Sequence, residues 1–167
     1  MKKIDYKTYT KPSDFLTLRQ GDNPIQIISA GAIGKVHGSR MQGRYIPLGV
    51  CTENEACPFC MQGNEPKRVW RWIVIDKLSG ETKLLNAGST IGNEICLLAQ
   101  TVGDPLQYEI TISRAGLDKK TKYVVKNSGP AMAQTEIKKH EAMRVFLVKK
   151  YLMEGGNDST RTVQPAD

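Results

Sequence analysis

The chain predicts a mainly β fold, a small β-barrel with one or two helices and a metal-binding loop inserted into it. Three observations lead there. Runs rich in β-branched and aromatic residues recur between turn residues from Ile25 to Lys126. Glycines interrupt the first long run at Gly31 and Gly34, where a strongly bent strand would let a small sheet close on itself. One histidine and three cysteines, His37, Cys51, Cys57 and Cys60, fall between that run and the clearest strand.

At 167 residues, with 40% hydrophobic and 25% charged residues, the chain is long enough for one domain with a core and terminal arms. Its formal charge of +7 and pI near 9.3 favour a polyanionic partner, nucleic acid first. The longest apolar runs are too short for a bilayer span, and no apolar signal core follows Lys2 and Lys3. The expected setting is therefore cytoplasmic and not secreted, with no membrane partner. A reducing compartment also suits three free thiolates.

In chain order, residues 1–14 carry Lys2, Lys3, Lys7 and Lys11 with weak periodicity and read as a flexible basic arm. Such an arm could touch nucleic acid or another copy of the chain. Phe15–Leu18 and the turn Gln20–Pro24 lead into the bent strand Ile25–Val36, and Gly43–Val50 is a second strand. Val69–Asp76 is the clearest strand, and Lys77–Gly80 turns it into Glu81–Asn86. Ser89 is placed to cap a helix to about Thr101, with Ile91, Ile95, Leu98 and Val102 along one face. Leu106–Ser113 and Thr121–Lys126 form a second hairpin. Residues 131–154 read as a C-terminal helix, although Arg144–Val148 fits a strand equally well, and the polar tail 155–167 reads as disordered. Strands, a helix and two more strands follow the order of an OB-fold (three strands, a helix, two strands), here over residues 15–130 with one extra hairpin strand and a metal subdomain at about 37–66 as insertions; an unrelated small β-barrel or α+β sheet is the alternative.

Three thiolates and one imidazole complete a tetrahedral shell for zinc, with Cys57-Pro-Phe-Cys60 as its tight turn. Four protein ligands leave no position for an activated water, so the zinc is expected to be structural. A redox pair at Cys57 and Cys60 would leave His37 and Cys51 unexplained. The His-x-Glu of a nucleobase deaminase is absent, since His37 is followed by Gly38 and Ser39. Cys96, in an apolar segment, reads as a small buried hydrophobe. With two histidines in all and carboxylates scattered, catalytic constellations are scarce and no enzyme is expected. His140, beside Lys138 and Lys139, reads as solvated.

Proteins that hold single strands without sequence preference pair basic grooves with aromatic faces. Three stretches interleave the two: Arg40, Arg44 and Tyr45; Lys67, Arg68, Trp70, Arg71 and Trp72; and Arg114, Lys119, Lys120, Lys122 and Tyr123. Trp70 and Trp72 share one face of their strand and Arg71 takes the other. Either the tryptophans stack on bases or they pack in the core, and Tyr123 faces the same choice.

Phe15–Ile28, the ligand set His37, Cys51, Cys57 and Cys60, and the hairpin Asp104–Arg114 followed by Thr121–Val125 together resemble the zinc-containing, OB-fold single-stranded DNA-binding proteins of tailed bacteriophages. The likeness covers roughly residues 15–126. It implies cooperative coating of unpaired DNA during replication, recombination or repair, with proteins of those processes as partners. The family's strongly acidic tail has no counterpart here, because the tail carries Glu154, Asp158 and Asp167 against Arg161. A zinc-bearing duplex-DNA or RNA-binding regulator is the competing expectation.

Overall fold

The computed structural model describes residues 13–153, apart from the side chains of Arg44 and Tyr45. The basic arm up to residue 12 and the tail from 154 lie outside the described residues. The described residues form one antiparallel sheet of seven strands: β1 (Gly21–Ile27), β2 (Ala32–Met41), β3 (Arg44–Val50), β4 (Lys67–Asp76), β5 (Glu81–Ala87), β6 (Tyr108–Ala115) and β7 (Lys122–Pro130). Between them lie α1 (Pro58–Met61) and α2 (Ser89–Thr101), and α3 (Gln134–Lys138) and α4 (Glu141–Leu147) follow.

The expected first strand is split. Residues 28–31 turn between β1 and β2, and both halves lie along β4: Ile25–Ile27 pairs with Val74–Asp76, and Ala32–Val36 with Lys67–Arg71. At the bend Ser29 replaces a ladder bond, its hydroxyl accepting from the backbone N–H of Ile73 at 2.8 Å. Gly31 is required there, because a Cβ would stand 2.5 Å from Nε1 of Trp72.

The sheet order is β3-β2-β4-β1-β6-β7, with β5 on the other side of β4. The expected closed barrel is not formed among the described residues. Closure would join β5 to β7, but the outer edge of β5 is taken at Leu84 by the leading segment. The Leu84 N–H donates to Asp14 O at 2.7 Å, and the Leu16 N–H donates to Leu84 O at 2.8 Å.

Alternation along β4 divides the apolar residues into two cores. Trp70, Trp72 and Val74 join Ile25, Ile27, Leu85, Ile110 and Ile112 under α2. Ile73 and Ile75 on the opposite face join Phe15, Leu84 and Leu147 under the C-terminal helices. α2 runs over the expected residues, but Gly88 precedes it with extended backbone and Ser89 is already helical. Ile91 and Ile95 are buried and Leu98 partly so, whereas Val102 is 51% exposed, past the helix end. The C-terminal helix is broken at Lys139 and His140 and finishes as a wide π-turn at Val148–Leu152. Arg144–Val148 is helical, because only a helix puts Leu147, Val148 and Tyr151 together on the outer face of β4 and β5. Among the described residues no helix is long and apolar enough to cross a membrane.

Candidate metal centre and basic surface

His37, Cys51, Cys57 and Cys60 meet, with all four ligand atoms within 4.8 Å of one another. Sheet register brings the first two together. β2 and β3 form a hairpin in which His37 lies opposite Gly49, beside an irregularity at His37 and Gly38. Cys51 follows β3 directly, and its N–H donates to Lys35 O at 2.9 Å. The tight turn supplies the other two. Cys57 precedes α1, Pro58 opens it, and the Met61 N–H closes back on Cys57 O at 3.1 Å.

The sulfurs and the imidazole nitrogen stand close together. Nε2 of His37 stands 3.4 Å from Sγ of Cys57 and 3.5 Å from Sγ of Cys60. Sγ of Cys51 lies 3.8 Å from that of Cys57 and 3.6 Å from that of Cys60. All three cysteines are free thiols. Asn64, which the sequence did not single out, fixes the histidine. Its Oδ1 lies 2.8 Å from Nδ1 of His37, and its Nδ2 donates to Gly38 O at 2.9 Å. Nδ1 therefore carries the proton, and Nε2 presents its lone pair to the sulfurs. Phe59 covers the ring, with centroids 5.3 Å apart.

The electrostatics call for a cation. The Cys57 thiol is held down to about 5, chiefly by the backbone N–H of Cys60. Cys60 is pushed up to about 11, first by loss of water around its sulfur and then by the neighbouring Cys51 and Cys57. Three sulfurs at this spacing cannot all ionise alone, and a bound dication removes the conflict. These residues fit a closed metal site that holds its loop in place. Expected roles elsewhere change: His140 is half-buried, with Nδ1 2.8 Å from the Thr82 hydroxyl, and Cys96 is partly buried against the first core.

The expected nucleic-acid contacts separate into groups. On the hairpin, Arg40 is exposed and pairs with Tyr45, and Arg44 pairs with Met41. Lys67 and Arg68 are exposed at the start of β4, opposite Val36 and Lys35. The metal loop joins these two strips. Lys119, Lys120 and Lys122 are exposed at the tip of the β6–β7 hairpin. Arg114 is half-buried there and donates to Leu18 O at 2.8 Å. This tip lies by the start of β1, since Gly21 pairs with Arg114, at the opposite end of the β1–β2 run from the metal hairpin.

Three expected contacts are corrected. Trp70 and Trp72 are 8% and 6% exposed and belong to the core. Trp70 lies against α2 at Gly92, where a Cβ would stand 2.6 Å from its Cγ. Arg71 is buried on the other face, with Nε donating to Asn86 Oδ1 at 2.9 Å and Nη1 to Tyr151 O at 3.3 Å. The cause is coverage on both sides, by α2 within and by the C-terminal helices outside. Tyr123 is half-buried against the first core. No protein-family model, curated protein or solved structure matches this chain.

Proposed function

We propose that this chain is a sequence-tolerant single-stranded DNA-binding protein, built on an OB-type sheet and stiffened by a structural zinc. The observation that carries the reading is the four-ligand cluster that ties the hairpin bearing Arg40 to the strand start bearing Lys67 and Arg68. A rigid basic edge of this kind can follow a flexible phosphate backbone without reading its bases.

Zinc is favoured by the ligand set and by size. Zn–S bonds near 2.3 Å and Zn–N bonds of about 2.0–2.1 Å at tetrahedral angles give sulfur–sulfur edges of about 3.8 Å and sulfur–nitrogen edges of about 3.6 Å. Cys51 Sγ stands 3.8 Å from Cys57 Sγ and 3.6 Å from Cys60 Sγ, and His37 Nε2 stands 3.4 Å from Cys57 Sγ and 3.5 Å from Cys60 Sγ, with every ligand atom within 4.8 Å of the others. His37, Cys51, Cys57 and Cys60 would hold the ion, which supplies folding energy rather than chemistry.

The OB reading is supported by strand adjacency. With β1 and β2 taken as one coiled strand and β3 as an insertion, the order is β5, β4, β1–β2, β6, β7, with α2 between β5 and β6. OB-folds are partly open barrels, so an unpaired β5–β7 seam suits the type. A single strand is favoured over duplex because α2 has no Arg or Lys and packs against β4 and β7, leaving no helix there to enter a groove. Cooperative coating, through the basic arm, and a role in replication, recombination or repair belong to the same proposal.

The test is fluorescence anisotropy with labelled oligo-dT, oligo-rU and duplex DNA at two salt concentrations. Submicromolar binding to oligo-dT, much weaker duplex binding and a negative salt dependence support the reading. Preference for duplex supports the regulator instead, and preference for oligo-rU makes RNA the partner.

A further inference from the structure

Burial of Trp70 and Trp72 leaves the basic strip of β4 without the aromatic faces that base stacking requires. Among the described side chains Phe146 is the one aromatic that stands exposed, at 52%. It lies on the outward side of α4, while Leu147 and Val148 on the inward side fill the second core. Met143 and Val145 beside it are also exposed. This outward apolar face has no cover among the described residues.

The surroundings identify what covers it. Lys149 is exposed and pairs with no carboxylate among the described residues. The neighbouring charges are already matched: Arg144 with Glu141, and Lys150 with Asp14, while Lys150 Nζ stands 5.7 Å above the Phe146 ring. A flat ring beside a lysine that lacks an anion fits a base and its phosphate.

The position lies on the same side of the sheet as part of the basic edge. Lys67, Val69 and Arg71 point to the same side of β4. Where Arg71 would extend that strip, the end of the C-terminal helix covers it, and Arg71 donates to Tyr151 O. Lys67 on the strand and the helix that carries Lys149 and Phe146 thus lie on the same side of the sheet. Phe146 precedes Tyr151 by five residues, about 6–8 Å of helix.

We propose that Phe146 and Lys149 form a base-stacking and phosphate-pairing station for single-stranded nucleic acid, continuing the path from the metal hairpin onto the C-terminal helix. This rests on the single-strand reading above and names a contact site for it. Both side chains are exposed, so their replacement leaves the fold intact.

The test is anisotropy with labelled oligo-dT for the wild type, Phe146→Ala, Phe146→Trp and Lys149→Ala, with thermal melting of each as a control. Phe146→Ala is expected to weaken binding about 5- to 100-fold, the range for one lost base stack. Phe146→Trp is expected to retain affinity and to gain an emission quenched by oligo-dT, unlike the two buried tryptophans. Lys149→Ala is expected to reduce the magnitude of the log–log salt slope by about 0.7. Wild-type affinity in Phe146→Ala, together with unquenched Phe146→Trp, overturns the station while leaving the single-strand reading standing. Sedimentation separates a further outcome: if Phe146→Ala dissolves a self-associated form and leaves affinity per chain unchanged, the face belongs to a second copy and the proposal fails. A wild type that ignores oligo-dT refutes the underlying reading as well as the station.

Discussion

At the scale of single residues, the metal ligands were legible because coordination depends on side-chain identity, and a histidine with three cysteines in a short span has few other uses. Asn64 was not legible, since its part follows from the return of the chain after α1 rather than from residue type. It supplies a sharp prediction. Asn64→Ala should lower metal affinity about 10- to 100-fold with the four ligands untouched, as measured by competition with a chromophoric chelator. Acid should act in the same direction. The Cys60 thiol, pushed up to about 11, holds a proton that a bound metal must displace, so affinity should fall as the pH drops from about 7.5 to 5.5. The tryptophans show the converse case. Alternation placed Trp70 and Trp72 on one face but could not say which face was inside. Gly31 and Gly92 held the answer, because each marks the spot where an indole lies against backbone. Gly92→Ala is therefore expected to destabilise the protein. The helix-propensity gain of about 1 kcal/mol is outweighed by overpacking, typically costing about 1–3 kcal/mol, and a lowered melting temperature records the balance.

At the scale of elements, α2 and the strands β4 to β6 followed their sequence signals closely, because the apolar periodicity of each agrees with its buried face, whereas β7 runs past the expected end at Lys126 to Pro130, where it still pairs with β6. The hairpin of β2 and β3 depends on something else. Val50 and Ile46 are exposed, and the ladder to β4 ends at Val36. Beyond that point the metal cluster and the Asn64 bridge hold the hairpin to the turn at Cys57. Chelation should therefore abolish hydrogen-exchange protection in residues 37–66 while β4, β5 and β6 keep theirs. The break at His140 escaped the sequence because it comes from a tertiary contact, the hydroxyl of Thr82 meeting the imidazole on β5's outer face. Likewise the strand-like run Arg144–Val148 became helical because burial of Leu147 outweighed β-branched propensity.

At the scale of the whole molecule, the basic side chains of the described residues are unevenly spread. Lys67, Arg68 and Arg40 gather near the metal hairpin, Lys119, Lys120 and Lys122 at the far tip, and Lys138 and Lys149 on the C-terminal helices. The expected stretch from Lys67 to Trp72 is interrupted, because the C-terminal helices occupy the middle of that face of β4 and bind Arg71. This was beyond the sequence, which gave the helix but not its seat. Lys67→Ala and Arg40→Ala should each weaken oligo-dT binding and reduce the salt slope, as read by anisotropy across a salt series. Emission of the buried tryptophans should change little on binding.

The most direct measurement is an anisotropy titration of oligo-dT with protein of known metal content, before and after chelation. The account predicts about one zinc per chain, tight binding in that form, and a loss of at least about tenfold once the metal is removed. Protein that binds unpaired DNA equally well without metal, or that holds zinc and does not bind unpaired DNA, would contradict it.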